Sequence, residues 1–501
     1  MFSKIALVSL PRQDLLRPPA AIPILAAACE ELNTEYEFYD FNLWLANNVD
    51  ADVWQEIDSN WEKSDSAADK DKEYFKIFLQ KLKQYIDIVI AGNIDLVAIS
   101  VFTDKSAHCA IEFIKELNNR PSRLDFKIII GGTGIEAKLP TTSNIKLCSY
   151  LLNNNLIDYF IYGEGEVLFR KILNHDFIAP GINNFELMQL DNLDDFPYPS
   201  YKKINPLAYR YINWPDVMIN GSRGCVRKCS YCDVAKYWPK FRYRSGNSLA
   251  EELFHTWKTT GVLAFEFSDS LINGNLKEFK IFNRALIKLK TDNPEFDVTY
   301  KGQFICRAPG QFAELNYQEM KNAGCSYIYV GVESFSDPVR YSMDKKFDTA
   351  ALEFHLEMCA KYGISNVFLM IVGYPTETLA DHEHNLKALK KYQVYSQAGI
   401  IDLITFGSTT SIIEDTPLER MQNVLRIEKE FENFNNVKNW VSASNPTLTL
   451  HERVRRWVEL VETADNLGYR QTRIDSSVAA LTQLLSVAKT KKRIISLTEL
   501  K

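Results

Sequence analysis

Over residues 1–187, apolar runs typical of strands alternate with segments that have the hydrophobic spacing of helices. Apolar or aromatic runs typical of buried strands occur at 4–10, 36–42, 95–103, 126–134 and 157–166. Between them, segments such as 20–32 and 105–117 have the spacing of an amphipathic helix. Buried strands separated by helices indicate a parallel sheet with helices on both faces. The pattern therefore predicts a doubly wound, Rossmann-like α/β domain over 1–187, interrupted by a polar, helix-prone insertion at 46–90.

The carboxyl ends of these strands carry loops rich in glycine and polar residues. Four of the loops read SLPRQD, SVFTDKS, GGTG and GEGE. In an open parallel sheet, ligands bind along the edge where the strands end, and glycine lets the backbone approach a large ligand closely. We therefore expect a ligand at this edge, although a doubly wound domain without a ligand has the same pattern.

A second alternating series follows an acidic, proline-rich segment, 188–206, which we interpret as a linker. Its strand patterns fall at 216–224, 262–270, 297–306, 325–334, 365–375 and 401–410. Six strand–helix units predict a partial, six-stranded TIM-type barrel over 207–412, with its active site at the carboxyl ends of the strands. We expect the region 413–501 to be mostly helical, because Thr449 and Glu452 have capping-box spacing before an amphipathic segment.

Composition indicates an ordinary globular chain. Of the 501 residues, 46% are hydrophobic, and a net charge of −6 with mixed signs gives no strong basic field. A nucleic-acid partner is therefore not expected. No apolar stretch is long enough to span a membrane, and the N-terminal apolar run is too short for a signal peptide. We expect a cytoplasmic protein with no membrane partner.

Three of the nine cysteines are clustered: Cys225, Cys229 and Cys232 form the pattern C-x3-C-x2-C after the first strand of the barrel series. The other six are scattered, and lone cysteines are commonly buried. A closed zinc site needs four protein ligands, and no histidine in the loop completes this one. A 4Fe–4S cube held by three cysteines would leave one iron open. A zinc site completed from elsewhere, or a cluster that only relays electrons, remains an alternative.

The stretch CVRKCSYC resembles the signature of the radical S-adenosylmethionine (SAM) enzymes, with Tyr231 in the aromatic position before the third cysteine. The resemblance implies that Cys225, Cys229 and Cys232 bind a 4Fe–4S cluster whose open iron is chelated by SAM. It also implies that SAM is cleaved to methionine and a 5′-deoxyadenosyl radical, which abstracts a hydrogen atom. An external electron donor such as flavodoxin or ferredoxin would reduce the cluster.

Later strands extend this resemblance. FEFSDSLINGN, with Ser268 and Asp269 at a strand end, is similar to a pattern of the subgroup with an N-terminal cobalamin-binding domain. YVGVESFSDPVRYSMDKK is similar to the segment whose glutamate, here Glu333, lies near the ribose and methionine of SAM. FLMIVGYPTET resembles the glycine motif that places Gly373 against the adenine, although Thr376 stands where the family has glycine. A capped strand end or a surface ion pair is the alternative for Asp269 and Glu333.

The N-terminal stretches RPPAAIPILAAACEEL, IIIGGTG and DYFIYGEGEVLFRKIL also resemble the cobalamin-binding subgroup. This implies bound cobalamin and a methyltransferase acting on an unactivated centre of a small-molecule or peptide substrate. None of the seven histidines lies in the D-x-H-x-x-G motif that many cobalamin proteins use, so a domain that kept the fold and lost the cofactor stays open. The run DHEH at 381–384 opens a helix, and we interpret it as a solvated first turn.

Two other activities remain open. A radical SAM enzyme of this subgroup could carry out cyclisation, rearrangement or oxidation without methyl transfer. A tRNA methylthiotransferase would hold a second cluster on three N-terminal cysteines, and Cys29, Cys109 and Cys148 lie in that domain. However, Cys29 and Cys109 fall on apolar helix faces, and the C-terminal region has a helical pattern.

Overall fold

The structure is a computed structural model that describes residues 2–11, 15–60, 72–103, 106–139, 145–176, 181–209, 215–432 and 436–471. The chain divides into two compact units. The first comprises 1–219 and 248–265, and the second comprises 220–247 and 266–501.

The strands are β1 Lys4–Ser9, β2 Glu35–Asp40, β3 Leu96–Ser100, β4 Lys127–Gly131, β5 Lys138–Leu139, β6 Ile145–Lys146, β7 Tyr159–Phe160, β8 Asp216–Ile219, β9 Ser222–Arg223, β10 Arg242–Tyr243, β11 Ala264–Phe267, β12 Thr299–Phe304, β13 Cys325–Glu333, β14 Ser365–Val372, β15 Ile401–Thr409, β16 Ile427–Glu428 and β17 Val441–Ser442.

The helices are α1 Ala21–Glu31, α2 Phe41–Asn48, α3 Ala51–Asn60, α4 Glu73–Ile90, α5 Ala107–Asn118, α6 Leu147–Asn153, α7 Gly165–Leu173, α8 Val234–Tyr237, α9 Gly246–Thr260, α10 Leu276–Asp292, α11 Glu314–Ala323, α12 Asp337–Ser342, α13 Thr349–Tyr362, α14 Leu379–Gln397, α15 Pro417–Arg420, α16 Gln422–Leu425 and α17 Leu450–Asn466.

The first sheet has five parallel strands in the order β2-β1-β3-β4-β7. Every residue of β3 is buried, which explains its unbroken apolar run. The chain passes from β2 across β1 to β3, so the strand order reverses between β1 and β3. Such a switch point opens a crevice at the carboxyl ends of the strands. The sheet confirms the predicted doubly wound α/β class.

The insertion at 46–90 contributes to the core of the first unit. Helix α4 buries one face, and this face joins the same hydrophobic cluster as the residues of β1, β3 and β4. Tyr85 of α4 stacks on Phe41 with ring centroids 4.9 Å apart. The segment therefore adds a packed layer, although its polar composition had suggested an interruption of the domain.

The second sheet has six strands in the order β15-β14-β13-β12-β11-β8, which confirms the predicted six-stranded arrangement. Strands β12 to β15 pair in parallel. The register between β13 and β14 shifts between Gly331 and Glu333, near the end of β13. Such a bulge bends a strand and redirects its side chains, and bulges occur often beside active sites.

The described part of the C-terminal region, up to residue 471, contains α15, α16 and α17. It also contains a short antiparallel pair, β16 and β17, that the sequence pattern had not indicated. Thr449 caps α17 by accepting a hydrogen bond from the Glu452 N–H. Among the described residues, no helix combines the length and apolar character needed to cross a membrane.

Candidate active site

The loop that carries the cysteine trio runs from β9 to α8, and Ser230 anchors its middle. The Ser230 N–H donates to the Met343 carbonyl at 3.0 Å, and its own carbonyl accepts from the Leu418 N–H at 2.7 Å. Its hydroxyl lies 2.8 Å from the Tyr374 hydroxyl. Three separate segments of the second unit thus fix the middle of the loop.

The three thiols share this loop in a partly buried setting. Cys229 is 9% exposed, and Cys225 and Cys232 are half-buried. Burial raises the pKa of all three thiols, that of Cys232 to about 11. At Cys225, the cations Lys345, Arg227 and Arg307 oppose this rise. In the described ranges, no three His, Cys, Asp or Glu side chains already stand together as ligands of a single ion.

Tyr231 and Glu333 are brought together beside the trio, with a third residue. The Tyr231 hydroxyl donates to Glu333 Oε1 at 2.7 Å, and Lys345 Nζ contacts the same oxygen at 2.8 Å. Burial alone would lower the pKa of Lys345, but Glu333 and the cysteines raise it. The site thus keeps a buried ammonium next to the thiols.

The backbone at Glu333 is strained to make this arrangement. Glu333 has φ +64°, a left-handed conformation that side-chain-bearing residues rarely adopt. A Cβ at Gly331 would lie 2.4 Å from Glu333 Oε1 and 2.7 Å from Lys345 Nζ. Glycine at 331 therefore leaves room for the ion pair. Strained residues persist where the surrounding structure over-determines them, and they cluster at functional sites.

Ser268 and Asp269 lie at the end of β11 and bind the segment that precedes the cysteine loop. Asp269 Oδ2 accepts the Gly221 N–H at 2.8 Å, and the Ser268 hydroxyl accepts from Asn220 Nδ2 at 3.1 Å. Burial raises the pKa of Asp269 to about 7, while Ser222 and Gly221 lower it. Asp269 therefore connects the end of β11 to the segment before the cysteine loop. A role for Ser268 and Asp269 in binding a cofactor stays a prediction.

Gly373 follows β14 and has φ +72°. A Cβ at this position would lie 2.5 Å from Cγ of Arg453, and the Gly373 N–H donates to Glu377 Oε2 at 3.0 Å. Backbone conformation and packing both require glycine here. A role for Gly373 against adenine stays a prediction.

Sequence reasoning missed Lys345, Ser230 and the buried pair of Arg456 with Glu377. Lys345 falls within a stretch quoted for its resemblance, but a lone lysine in such a stretch is usually solvated. Glu377 and Arg456 are 79 positions apart in the chain, and no local pattern connects them. Only the tertiary structure shows that these residues surround the cysteine loop and the loop after β14.

The strand-end glycines of the first unit have mostly internal roles. A Cβ at Gly132 would lie 2.4 Å from the Val101 carbonyl oxygen, and one at Gly134 would lie 2.3 Å from that of Thr103. Close approach of the protein's own backbone therefore explains both, where the sequence pattern had suggested approach to a ligand. At Gly165, in contrast, an added Cβ would meet no atom within 4 Å.

Residues 219–389, which contain the cysteine trio, Glu333 and Gly373, match the family model described as "Radical SAM superfamily". The chain contains a radical SAM domain. Such a domain implies a 4Fe–4S cluster and SAM as cofactors. The donor set fits the cluster, because three thiols lie on one loop next to cationic side chains.

Two curated relatives match this chain in part. An uncharacterized methyltransferase of Pyrococcus horikoshii is 25% identical over 261 residues, 48% of this chain and 54% of the relative. A putative methylthiotransferase of Methanocaldococcus jannaschii is 24% identical over 323 residues, 60% of this chain and 66% of the relative. The chain thus spans between half and two thirds of the length of these relatives.

Two solved radical SAM structures share the fold over nearly the whole chain. TsrM from Kitasatospora setae, a methyltransferase solved with cobalamin and a 4Fe–4S cluster, has a TM-score of 0.63 at 16% identity, covering 94% of this chain and 91% of its own. The cobalamin-dependent enzyme OxsB, solved with aqua-cobalamin, has a TM-score of 0.66 at 14% identity, covering 91% of this chain and 67% of its own. At such identities, the likeness establishes the fold.

Proposed function

We propose that this radical SAM enzyme is a cobalamin-dependent methyltransferase acting on an unactivated centre of a small-molecule or peptide substrate. The observation that carries the proposal is the combination of the cysteine trio with a separate five-stranded parallel sheet. TsrM and OxsB, which share the fold over most of this chain, were solved with cobalamin. We further propose the domain division 1–187, 188–206, 207–412 and 413–501.

In this proposal, Cys225, Cys229 and Cys232 hold the cluster. Glu333 and Lys345 place a carboxylate and an ammonium beside the cysteine loop, and these charges can orient the polar groups of SAM. When bound, the cluster and SAM supply a 5′-deoxyadenosyl radical, and cobalamin supplies a carrier for a methyl group. An external reductant such as flavodoxin or ferredoxin would provide the electron.

The first unit offers features that fit a large cofactor at the β1/β3 switch point. Ser9, the last residue of β1, has a buried hydroxyl that finds no hydrogen-bond partner in the part of the chain that is described. Gly165 begins α7, after β7 of the same sheet, with open space at its Cβ position. An orphaned polar atom and an uncrowded glycine near strand ends support cobalamin binding there.

The experiment that tests the proposal is anaerobic reconstitution of the full chain with iron, sulfide and cobalamin, followed by desalting. We expect a retained corrinoid absorbance and, with a strong reductant, cleavage of SAM. With methyl-labelled SAM and substrate, a labelled product should form together with S-adenosylhomocysteine. Loss of all corrinoid on desalting would contradict the cobalamin part alone, and uncleaved SAM would contradict the radical SAM chemistry.

The same experiment separates the two alternatives. Deoxyadenosine formed without methylated product or S-adenosylhomocysteine would indicate cyclisation, rearrangement or oxidation. A methylthiotransferase would bind about eight irons per chain instead of about four, because it carries a second cluster. The structure gives no support to that second cluster, because Cys29, Cys109 and Cys148 are fully buried in α1, α5 and α6.

A further inference from the structure

A side chain of α17 hydrogen-bonds to the loop that follows β14, which we call the β14 loop (residues 373–378). The guanidinium of Arg456 is the centre of this contact. Its Nη1 donates to the Glu377 carboxylate at 3.0 Å, to the Glu377 carbonyl at 3.2 Å and to the Thr378 carbonyl at 3.0 Å. One side chain of α17 therefore holds both the side chain and the backbone at the end of the β14 loop.

The pair of Arg456 and Glu377 is almost completely withdrawn from solvent. Their side chains are 2% and 1% exposed. The second carboxylate oxygen of Glu377 accepts the Gly373 N–H, so the carboxylate connects Arg456 to the first residue of the β14 loop. A buried charge pair that also satisfies backbone groups has one well-defined geometry, because any shift leaves a polar group unpaired.

A second arginine of α17, Arg453, packs against Gly373 at the start of the β14 loop. The stem of Arg453 occupies the space in which a Cβ of Gly373 would lie. Its guanidinium stacks 3.6 Å from the centre of the Trp440 ring and donates to the Trp440 carbonyl at 2.9 Å. Because its guanidinium is held by Trp440, the Arg453 side chain packs against Gly373 in one fixed position.

The β14 loop also contacts the cysteine loop. The hydroxyl of Tyr374 lies 2.8 Å from that of Ser230, between Cys229 and Tyr231, and donates to the Ser342 carbonyl at 3.1 Å. The contacts thus run from Arg456 through Glu377 and the β14 loop to the middle of the cysteine loop. Buried hydrogen bonds therefore connect Arg456 to the cysteine loop.

We propose that Arg456 is a positioning residue for SAM binding. From α17, which follows the six strands of the second sheet, Arg456 holds the β14 loop in the conformation that binds SAM. This inference rests on the proposed role of the β14 loop in binding SAM. Arg456 holds the carboxylate and carbonyl of Glu377 and the carbonyl of Thr378, and it acts through Glu377. Helix α17 is therefore part of the nucleotide-binding apparatus.

The test measures SAM affinity by equilibrium dialysis on cluster-reconstituted full-length chain. Arg456→Met should weaken SAM binding at least about tenfold, the loss typical of removing one charge-assisted hydrogen bond. Iron content and cluster absorbance should match the unaltered protein. SAM cleavage should recover at saturating SAM, so that KM rises while kcat changes little, which a general loss of folded protein would not produce.

Arg455→Met is the matched control, because Arg455 lies on the same helix, is 45% exposed and pairs with Glu452 and Glu459. Its SAM affinity should be unchanged. If Arg456→Met loses iron or unfolds, the Glu377→Gln variant tests the inference instead. Weaker SAM binding by Glu377→Gln with normal iron content supports the inference. Normal SAM affinity in this variant overturns it. Normal affinity in Arg456→Met also overturns it. If the unaltered protein fails to bind SAM, the proposed function fails first.

Discussion

The hydroxyl of Tyr231 donates to Oε1 of Glu333, 102 positions further along the chain, at 2.7 Å. This bond joins the cysteine loop to the end of β13. Tyr231 of the cysteine loop therefore contacts the Glu333 carboxylate, which the family resemblance places near SAM. The buried ammonium of Lys345 shares the same oxygen, so the position of that carboxylate is set from two directions.

We therefore expect Tyr231→Phe to weaken SAM binding about tenfold while the cluster is retained, because the change removes one hydrogen bond to a charged group and leaves the ring in place. Dialysis of SAM against the reconstituted variant, with iron analysis, measures both effects. Tyr341→Phe is the control, since Tyr341 is 58% exposed. Unchanged affinity would show that Lys345 alone orients Glu333.

The strained backbone at Glu333 gives a prediction about stability. Because φ is +64° there, Glu333→Gly should be more stable than Glu333→Ala by about 1 kcal/mol. At Val330, a neighbour in β13 outside the left-handed region, the order should reverse, because glycine weakens an ordinary strand. Thermal unfolding of the four variants measures both differences. The same order at both positions would argue against strain.

Asp269 gives a prediction about pH. Burial raises the pKa of Asp269 from its ordinary value of 3.8 to about 7 in the folded state, so the folded state binds the proton more tightly than the unfolded state. Asp269 therefore stabilises the fold below about pH 4 relative to higher pH, and this contribution, up to about 4 kcal/mol, is lost as pH rises to about 7.

Asp269→Asn should remove that loss, because the amide oxygen still accepts the Gly221 N–H and carries no charge. Melting temperatures measured from pH 5 to pH 8 should fall more steeply for the unaltered protein than for the variant. Asp292→Asn serves as the control, because the Asp292 side chain is 51% exposed. Parallel curves for Asp269→Asn would mean that this carboxylate is ionised throughout the range.

Alanine substitutions at two glycines of the first unit are expected to have different effects, one on stability and the other on cofactor binding. Gly132→Ala should destabilise the protein, because φ is +98° and the new Cβ would meet the Val101 carbonyl. Gly165→Ala meets no protein atom, and alanine suits a helix. If cobalamin approaches α7, Gly165→Ala should retain less corrinoid after desalting with an unchanged melting temperature. Full retention would place the cofactor away from this residue.

The cysteine trio gives the simplest prediction. Replacing any one of Cys225, Cys229 and Cys232 by alanine should reduce the iron bound from about four per chain to a small fraction and abolish SAM cleavage. Cys148→Ala should keep its iron, because Cys148 is fully buried in α6. Iron analysis and visible absorbance after anaerobic reconstitution measure the effect. Loss of iron in Cys148→Ala would instead support a second cluster.

The local pattern predicted the secondary structure well where a strand is buried along its whole length. The apolar runs at 4–10 and 95–103 became β1 and β3, because a strand covered on both faces needs apolar residues throughout. The pattern failed for His382 in the DHEH run. Its side chain is buried, with Nε2 3.0 Å from Glu459 Oε2 on α17, so this turn is not fully solvated.

What the sequence by itself determined was the order of elements and the close spacing of the three cysteines that we propose as cluster ligands. Both depend on neighbours close in the chain: strand and helix periodicity repeats within a few residues, and three thiols that ligate one cluster can lie on one loop. Only the tertiary structure decided that Glu333 meets Lys345 on a strained bulge and that Arg456 reaches Glu377 from α17. These contacts join residues far apart in sequence, and periodicity reports that a residue is buried without reporting which partner it meets.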